Sequence, residues 1–299
     1  MDGAGGSGPA PASSSPSSSP PPGAYAPVVA TLRVPAPLPA AAGRPTSRTG
    51  LAVCLLLLAG VAVGGATAVD RVQGAAVGDV HRVTTDAPAE DGWGPIYVDD
   101  QGRPARWDPC RPISYVVQAG WIPETGRQDL AEALARLSAA SGLTFVDEGD
   151  TDELPSQGRS PYQPDRYGER WAPLLIGWVP PASTDLGLGS GAQGLSLSVA
   201  VPGRAGPHLV SGQVVLDADN PLVGGFGPGT TDGEVLLHEL AHAVGLGHVL
   251  DATQVMYPRT TNSESQFGAG DRAGLAAVGA AASCHPPPRA RPLRLASGG

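Results

Sequence analysis

The stretch "EVLLHELAHAVGLGHVLDATQVMYP", Glu234 to Pro258, decides how this chain is read. Only six histidines occur in 299 residues, yet His238, His242 and His248 fall within eleven positions of a segment otherwise made of Leu, Ala, Val and Gly. Neutral imidazole is the commonest protein ligand for a divalent transition metal, so histidines grouped in this way point to one shared ion. Thr231 and Glu234 stand in a T-x-x-E relation just ahead of the apolar run, which predicts a helix starting at about residue 232.

On that helix His238 and His242 are four residues apart and share a face, so one ion can bridge their imidazoles. Gly245 predicts an exit through a backbone conformation that other residues resist, after which His248 can swing back as the third ligand. Three neutral imidazoles leave a tetrahedral Zn²⁺ with one open position, the pattern of a catalytic site and not of a closed structural one. Glu239 follows the first histidine directly and is expected beside the ion without coordinating it, placed to move protons as a general base.

The segment HELAHAVGLGH resembles the metzincin signature H-E-x-x-H-x-x-G-x-x-H, matched at His238, Glu239, His242, Gly245 and His248. A second part of the resemblance is "VMYP" at 255–258, which is similar to the methionine turn of the matrixin branch. The resemblance implies an α+β, metzincin-like zincin domain with a twisted mixed sheet, an active-site helix and a C-terminal helix. It also implies a zinc endopeptidase acting on a peptide or protein substrate. By position, Met256 would pack beneath the imidazoles, and Tyr257 and Pro258 would help wall the substrate pocket. "AGDRAGLAAVGAA" looks like the final helix, with Asp271 near its start, and "WDPCRPISYVV" fits the first strand.

Two features depart from the family pattern. Val249 stands where a matrixin usually has serine, and no pro-segment motif placing a cysteine on zinc is recognisable, which leaves latency unexplained. Substrate is expected antiparallel to an edge strand, for which "GLSLSVAV" at 194–201 is the candidate. Two other readings remain open: an exported module or inactive homologue that keeps zinc for stability, and a zinc amidase acting on cell wall. Replacing Glu239 by Ala separates catalysis from stability.

Composition bounds the rest. The 42 glycines and 32 prolines are unevenly spread, and residues 1–50 hold eleven of the prolines and few large apolar side chains. Such a segment cannot repay the entropy of ordering, so we expect a disordered cytoplasmic leader. All 19 basic residues are arginine, a bias of GC-rich coding that points to a bacterial source. The formal charge of −9 is concentrated between residues 70 and 285, where 13 arginines face 27 acids. That acidity argues against nucleic acid as a partner, since phosphate binding needs a basic face; it suits a soluble exported domain.

Residues 51–69, "LAVCLLLLAGVAVGGATAV", are 19 uncharged and mostly apolar positions, close to the ~20 a helix needs to cross a bilayer. Arg44 and Arg48 precede them and Asp70 follows, which predicts a single-pass anchor with the N-terminus inside and the domain outside. The alternative is cleavage near Ala68 and secretion. Cys54 then lies in the membrane segment, and Cys110 and Cys284 lie on the oxidising side, where we expect them to pair; the rival is Cys110 as a thiolate cap on the metal. Residues 70–92 read as a stalk or short pro-segment, 93–285 as the catalytic domain and 286–299 as a disordered basic tail. Nothing bears on oligomeric state.

Within the domain, "PIYVDDQGRPARW" reads as a hairpin, "ISYVVQ", "LTFVDE", "PLLIGWVP", "LSVAV" and "GQVVLDAD" as strands, and Leu130, Leu134 and Leu137 as one face of a helix stopped by Gly142. The polar stretch 149–172 carries little signal. Asp217 and Asp219 are candidates for a calcium site. His81, His208 and His285 are scattered too widely for a second zinc.

Overall fold

The computed structural model describes residues 81–83, 92–189, 191–220, 222–259 and 266–293. The expected leader, the apolar segment 51–69 and most of the expected stalk lie outside them. Among the described residues no helix is long and apolar enough to cross a membrane.

The β-branched run at 113–118 forms strand β2 (Ile113–Gln118). The leucine stripe forms helix α1 (Gly126–Ser141), which ends on Gly142 at φ 70°, a left-handed conformation that glycine adopts without steric cost. Strand β3 (Phe145–Thr151), a short helix α2 (Pro164–Tyr167), β4 (Leu174–Val179), β5 (Gly194–Val201) and β6 (His208–Asp217) follow, then helices α3 (Asp232–Ala243) and α4 (Ala269–Val278). A three-residue strand, β1 (His81–Val83), precedes them all.

The sheet has six strands in the order β1-β5-β6-β4-β2-β3. β3, β2, β4 and β6 run parallel, while β5 is antiparallel to β6 and β1 antiparallel to β5. The mixed sheet expected of the α+β domain is present, within a mixed α/β fold. β4 and β6 are buried along their whole length, because a parallel sheet is covered on both faces. On one face Ile113, Val117, Ile176, Trp178, Val214 and Leu216 pack with the leucines of α1 and with Leu236, Leu237 and Leu240 of α3. On the other, Val179 and Val215 lie under Leu186 and Leu188. α3 is therefore pinned to the sheet by leucines on either side of His238.

The uninformative stretch 149–172 is clamped by a buried ion pair. Arg159 donates to both oxygens of Glu153 at 3.0 Å, and its remaining N–H groups reach Ser211 Oγ, Gly212 O and Pro173 O. A polar loop can cover a sheet face in this way because each buried donor finds an acceptor. No apolar period announces it.

Three boundaries differ from the sequence reading. The expected stalk contributes β1, since backbone pairing needs no apolar period. The expected disordered tail packs back over its first residues: Trp171 Nε1 donates to Pro288 O at 2.9 Å, and Leu293 covers Val199, Val201 and Val210. A proline-rich segment has little backbone entropy to lose on docking. Finally, β5 is not a free edge along its length, because β1 pairs with Ser198–Ala200 and leaves Gly194–Leu197 open among the described residues.

Cys110 and Cys284 form a disulfide that spans 174 residues, with their α-carbons 5.4 Å apart. Both sulfurs are thereby committed, and the thiolate-cap alternative does not hold.

Candidate metal centre

Helix α3 begins where the capping pattern places it. Thr231 is extended and its Oγ1 accepts from Glu234 N at 3.2 Å, satisfying one of the orphan N–H groups of the first turn. The helix ends at Ala243, and Gly245 at φ 119° turns the chain out while its N–H bonds to His242 O. A β-carbon at Gly245 would also stand 3.1 Å from Ala105 O.

The loop that carries the chain from His242 to His248 is braced from an unforeseen direction. Ile96 N bonds to Gly245 O and Gly247 N bonds to Gly94 O, both at 2.7 Å, while Trp107 Nε1 caps Ala243 O at 2.9 Å. The segment 93–107 thus satisfies carbonyls that a helix end leaves unpaired. Its hairpin turn forms as expected, with Asp99 accepting from the backbone of Gln101 and Arg103.

The three imidazoles converge. His242 Nε2 lies 3.0 Å from His238 Nε2 and 3.2 Å from His248 Nε2, and the His238–His248 separation is also 3.2 Å. The other ring nitrogens of two of them are committed: His238 Nδ1 to Val255 O and His242 Nδ1 to Leu246 O, both at 2.7 Å. A carbonyl only accepts, so each Nδ1 carries the proton and each Nε2 presents a lone pair to the same point. Two lone pairs 3.0 Å apart repel unless a cation lies between them. Tetrahedral zinc with Zn–N of 2.0–2.1 Å would space its nitrogens about 3.3 Å apart, close to these separations. The donor set fits a divalent metal ion.

Burial keeps the imidazoles neutral. Desolvation, and then the neighbouring rings, lower His242 well below its usual range and His248 to about 3, and desolvation lowers His238. Neutral imidazole is the form that binds a metal. Glu239 is buried beside them on α3, and without a cation desolvation pushes its carboxyl up to about 8. That carboxylate lies against β5 at Gly194.

Met256 is fully buried in the main core. Its backbone joins the triad from two sides: Met256 O accepts from Val249 N at 3.0 Å, just after His248, and the preceding carbonyl is the one that holds His238. Asp271 makes this possible. Its fully buried carboxylate accepts from Val255 N at 2.7 Å, Met256 N at 3.3 Å and Gly268 N at 2.9 Å. The sequence placed Asp271 near a helix start; that the same carboxylate also holds the methionine turn could not be read without the packing of α4. Tyr257 and Pro258 follow at once and are half-buried.

The calcium candidates and the remaining described histidines do not form a cluster with a third His, Cys, Asp or Glu among the described residues. Asp217 Oδ1 accepts from Asp219 N at 2.9 Å, an ordinary turn cap, and among the described residues neither joins two other donors around one point. His208 and His285 prove to be stacked, their ring centroids 4.2 Å apart, with Arg106 Nε donating to His285 Nε2, but no third metal-binding group converges with them among the described residues.

No protein-family model and no curated protein matches this chain. Among solved structures, the crystal structure of metalloproteinase-II from Bacteroides fragilis is similar over 60% of this chain and 57% of that one, at 16% identity and a TM-score of 0.33. The matched region spans little more than half of that protein's length, and a likeness so distant adds no weight to the geometry of the three histidines.

Proposed function

We propose that the chain is a zinc-dependent endopeptidase of the matrixin type, with His238, His242 and His248 as metal ligands and Glu239 as general base. The observation that carries this reading is the convergence of three Nε2 atoms within 3.2 Å, with two of the opposite ring nitrogens bonded to carbonyls. Zinc held there supplies Lewis acidity to a water and to a peptide carbonyl.

The chain supplies the rest. Val255 O and Leu246 O orient the first two imidazoles and hold their tautomers. Glu239 accepts the proton of the attacking water and delivers it to the leaving amine nitrogen. The backbone of β5 beside Gly194, open among the described residues, aligns an extended peptide by strand addition. Tyr257 and Pro258 border the pocket for the side chain after the scissile bond. A zinc site kept only for stability has no use for a buried carboxylate next to it, since isolating such a group from water is costly.

The test is Glu239→Ala in the full chain, assayed for bound zinc and for cleavage of a denatured protein mixture. Retained zinc with turnover reduced by a factor of about 10³ or more is expected. Zinc bound by both proteins with equal cleavage would refute the role of Glu239, and zinc with cleavage by neither would favour a restrained site, a narrow substrate or a binding module.

A further inference from the structure

β5 makes two uses of its outer edge. Toward Val201 the edge is taken, with His81 opposite Ala200, Arg82 opposite Val199 and Val83 opposite Ser198 in antiparallel register. Toward Gly194, which lies against Glu239, it is open among the described residues. A strand edge accepts one neighbour only, because each backbone N–H and C=O is used once. An extended peptide long enough to reach beyond the Gly194 end must take the same Ser198–Ala200 backbone that β1 holds.

The direction matters too. Residues 81 to 83 run opposite residues 200 to 198, so β1 points along β5 towards the Glu239 end. That is the antiparallel course the proposed reaction asks of a substrate. β1 is also short. Three paired residues hold weakly in water, and they persist because the chain supplies them at an effective concentration on the order of millimolar.

We propose that His81–Val83 is an intramolecular competitor for the peptide-docking edge of β5, restraining the site through the backbone and without a cysteine on the metal. The proposal rests on the peptidase reading for the identity of the docking edge. It needs no cysteine motif, and none is recognisable in the chain. Peptides that bind weakly are excluded, and longer or tighter ones displace β1. Removal of the segment, by proteolysis between it and the domain, raises the affinity of the edge for every extended peptide.

The experiment uses the full chain and a fluorescent synthetic peptide of the chain's own residues 78–86, read by anisotropy, so that binding is measured without reference to cleavage. Alternate residues of β1 direct their N–H groups towards β5 and away from it. Arg82→Pro therefore tests one alternation and the double variant His81→Pro, Val83→Pro the other, each serving as the other's control. Hydrogen exchange of the Ser198–Ala200 amides is followed in parallel. The expected result is a rise in peptide affinity of tenfold or more for one of the two variants, with faster exchange at those amides. Faster exchange with unchanged affinity would show that β1 pairs without excluding peptide, and unchanged exchange in both variants would show that β1 does not protect the edge; either overturns the proposal. The peptidase assignment stands or falls separately, on Glu239→Ala.

Discussion

Gly194 of β5 lies so close to Glu239 of α3 that no side chain fits between them: a methyl group on its α-carbon would stand 2.8 Å from Glu239 Cγ and 3.1 Å from Oε1. Val235 Cγ1, one turn earlier, would be 2.7 Å away. The glycine therefore sets where the carboxylate rests. Gly194→Ala should displace Glu239 without touching a histidine, lowering kcat at least tenfold with zinc stoichiometry retained, at a cost of about 1–3 kcal/mol in stability because Val235 is crowded as well. An unchanged kcat would show that the carboxylate tolerates the shift.

Asp271 ties the methionine turn to α4, and its loss would leave three N–H groups without their acceptor. Asp271→Ala should cost about 3–4 kcal/mol in denaturant unfolding. Because Val255 O holds His238, zinc should also escape to a chelator faster, by roughly 10–100-fold as for other supports of metal ligands. A variant that unfolds more easily yet keeps zinc as tightly as the parent would limit Asp271 to a packing role.

Asp232 gives a pH signature. Burial raises its carboxyl to about 6, against the hydrogen bond from Trp178 Nε1, with the nearby Asp129 adding to the rise. The native chain then holds this proton up to about pH 6 while the unfolded chain releases it near pH 4, so the group's contribution to stability falls as pH rises through that window. Asp232→Asn keeps an acceptor for Trp178 and removes the cost. We expect it to be more stable than the parent at pH 7 by about 1–2 kcal/mol, less than the full shift implies because the first turn of a helix favours a carboxylate. At pH 3.5 the two should melt together; a constant difference at all pH values would rule out titration of Asp232 as the cause.

The Cys110–Cys284 disulfide closes most of the domain into one loop. The double variant Cys110→Ser, Cys284→Ser should lose about 2–5 kcal/mol, the upper end being the chain-entropy value for a loop of this size. The three histidines are built from α3 and the backbone of 245–256, so zinc stoichiometry at 25 °C should persist. Loss of zinc in a folded variant would reveal a coupling between the disulfide and the triad.

The local sequence determined a great deal here. A capped helix with histidines four apart and a glycine exit are short-range facts, governed by helical periodicity and by the freedom of Gly245, and they were legible before any fold was known. So were the strands with continuous β-branched runs, because burial on both faces imposes that composition. What only the tertiary structure decided is long-range and backbone-mediated: the bracing of 245–247 by Gly94 and Ile96, the three bonds accepted by Asp271, the approach of Gly194 to Glu239, and the pairing of His81–Val83 with β5. Peptide N–H and C=O groups are the same in every residue but proline, so a contact made through them leaves no mark in the sequence until the chain has folded.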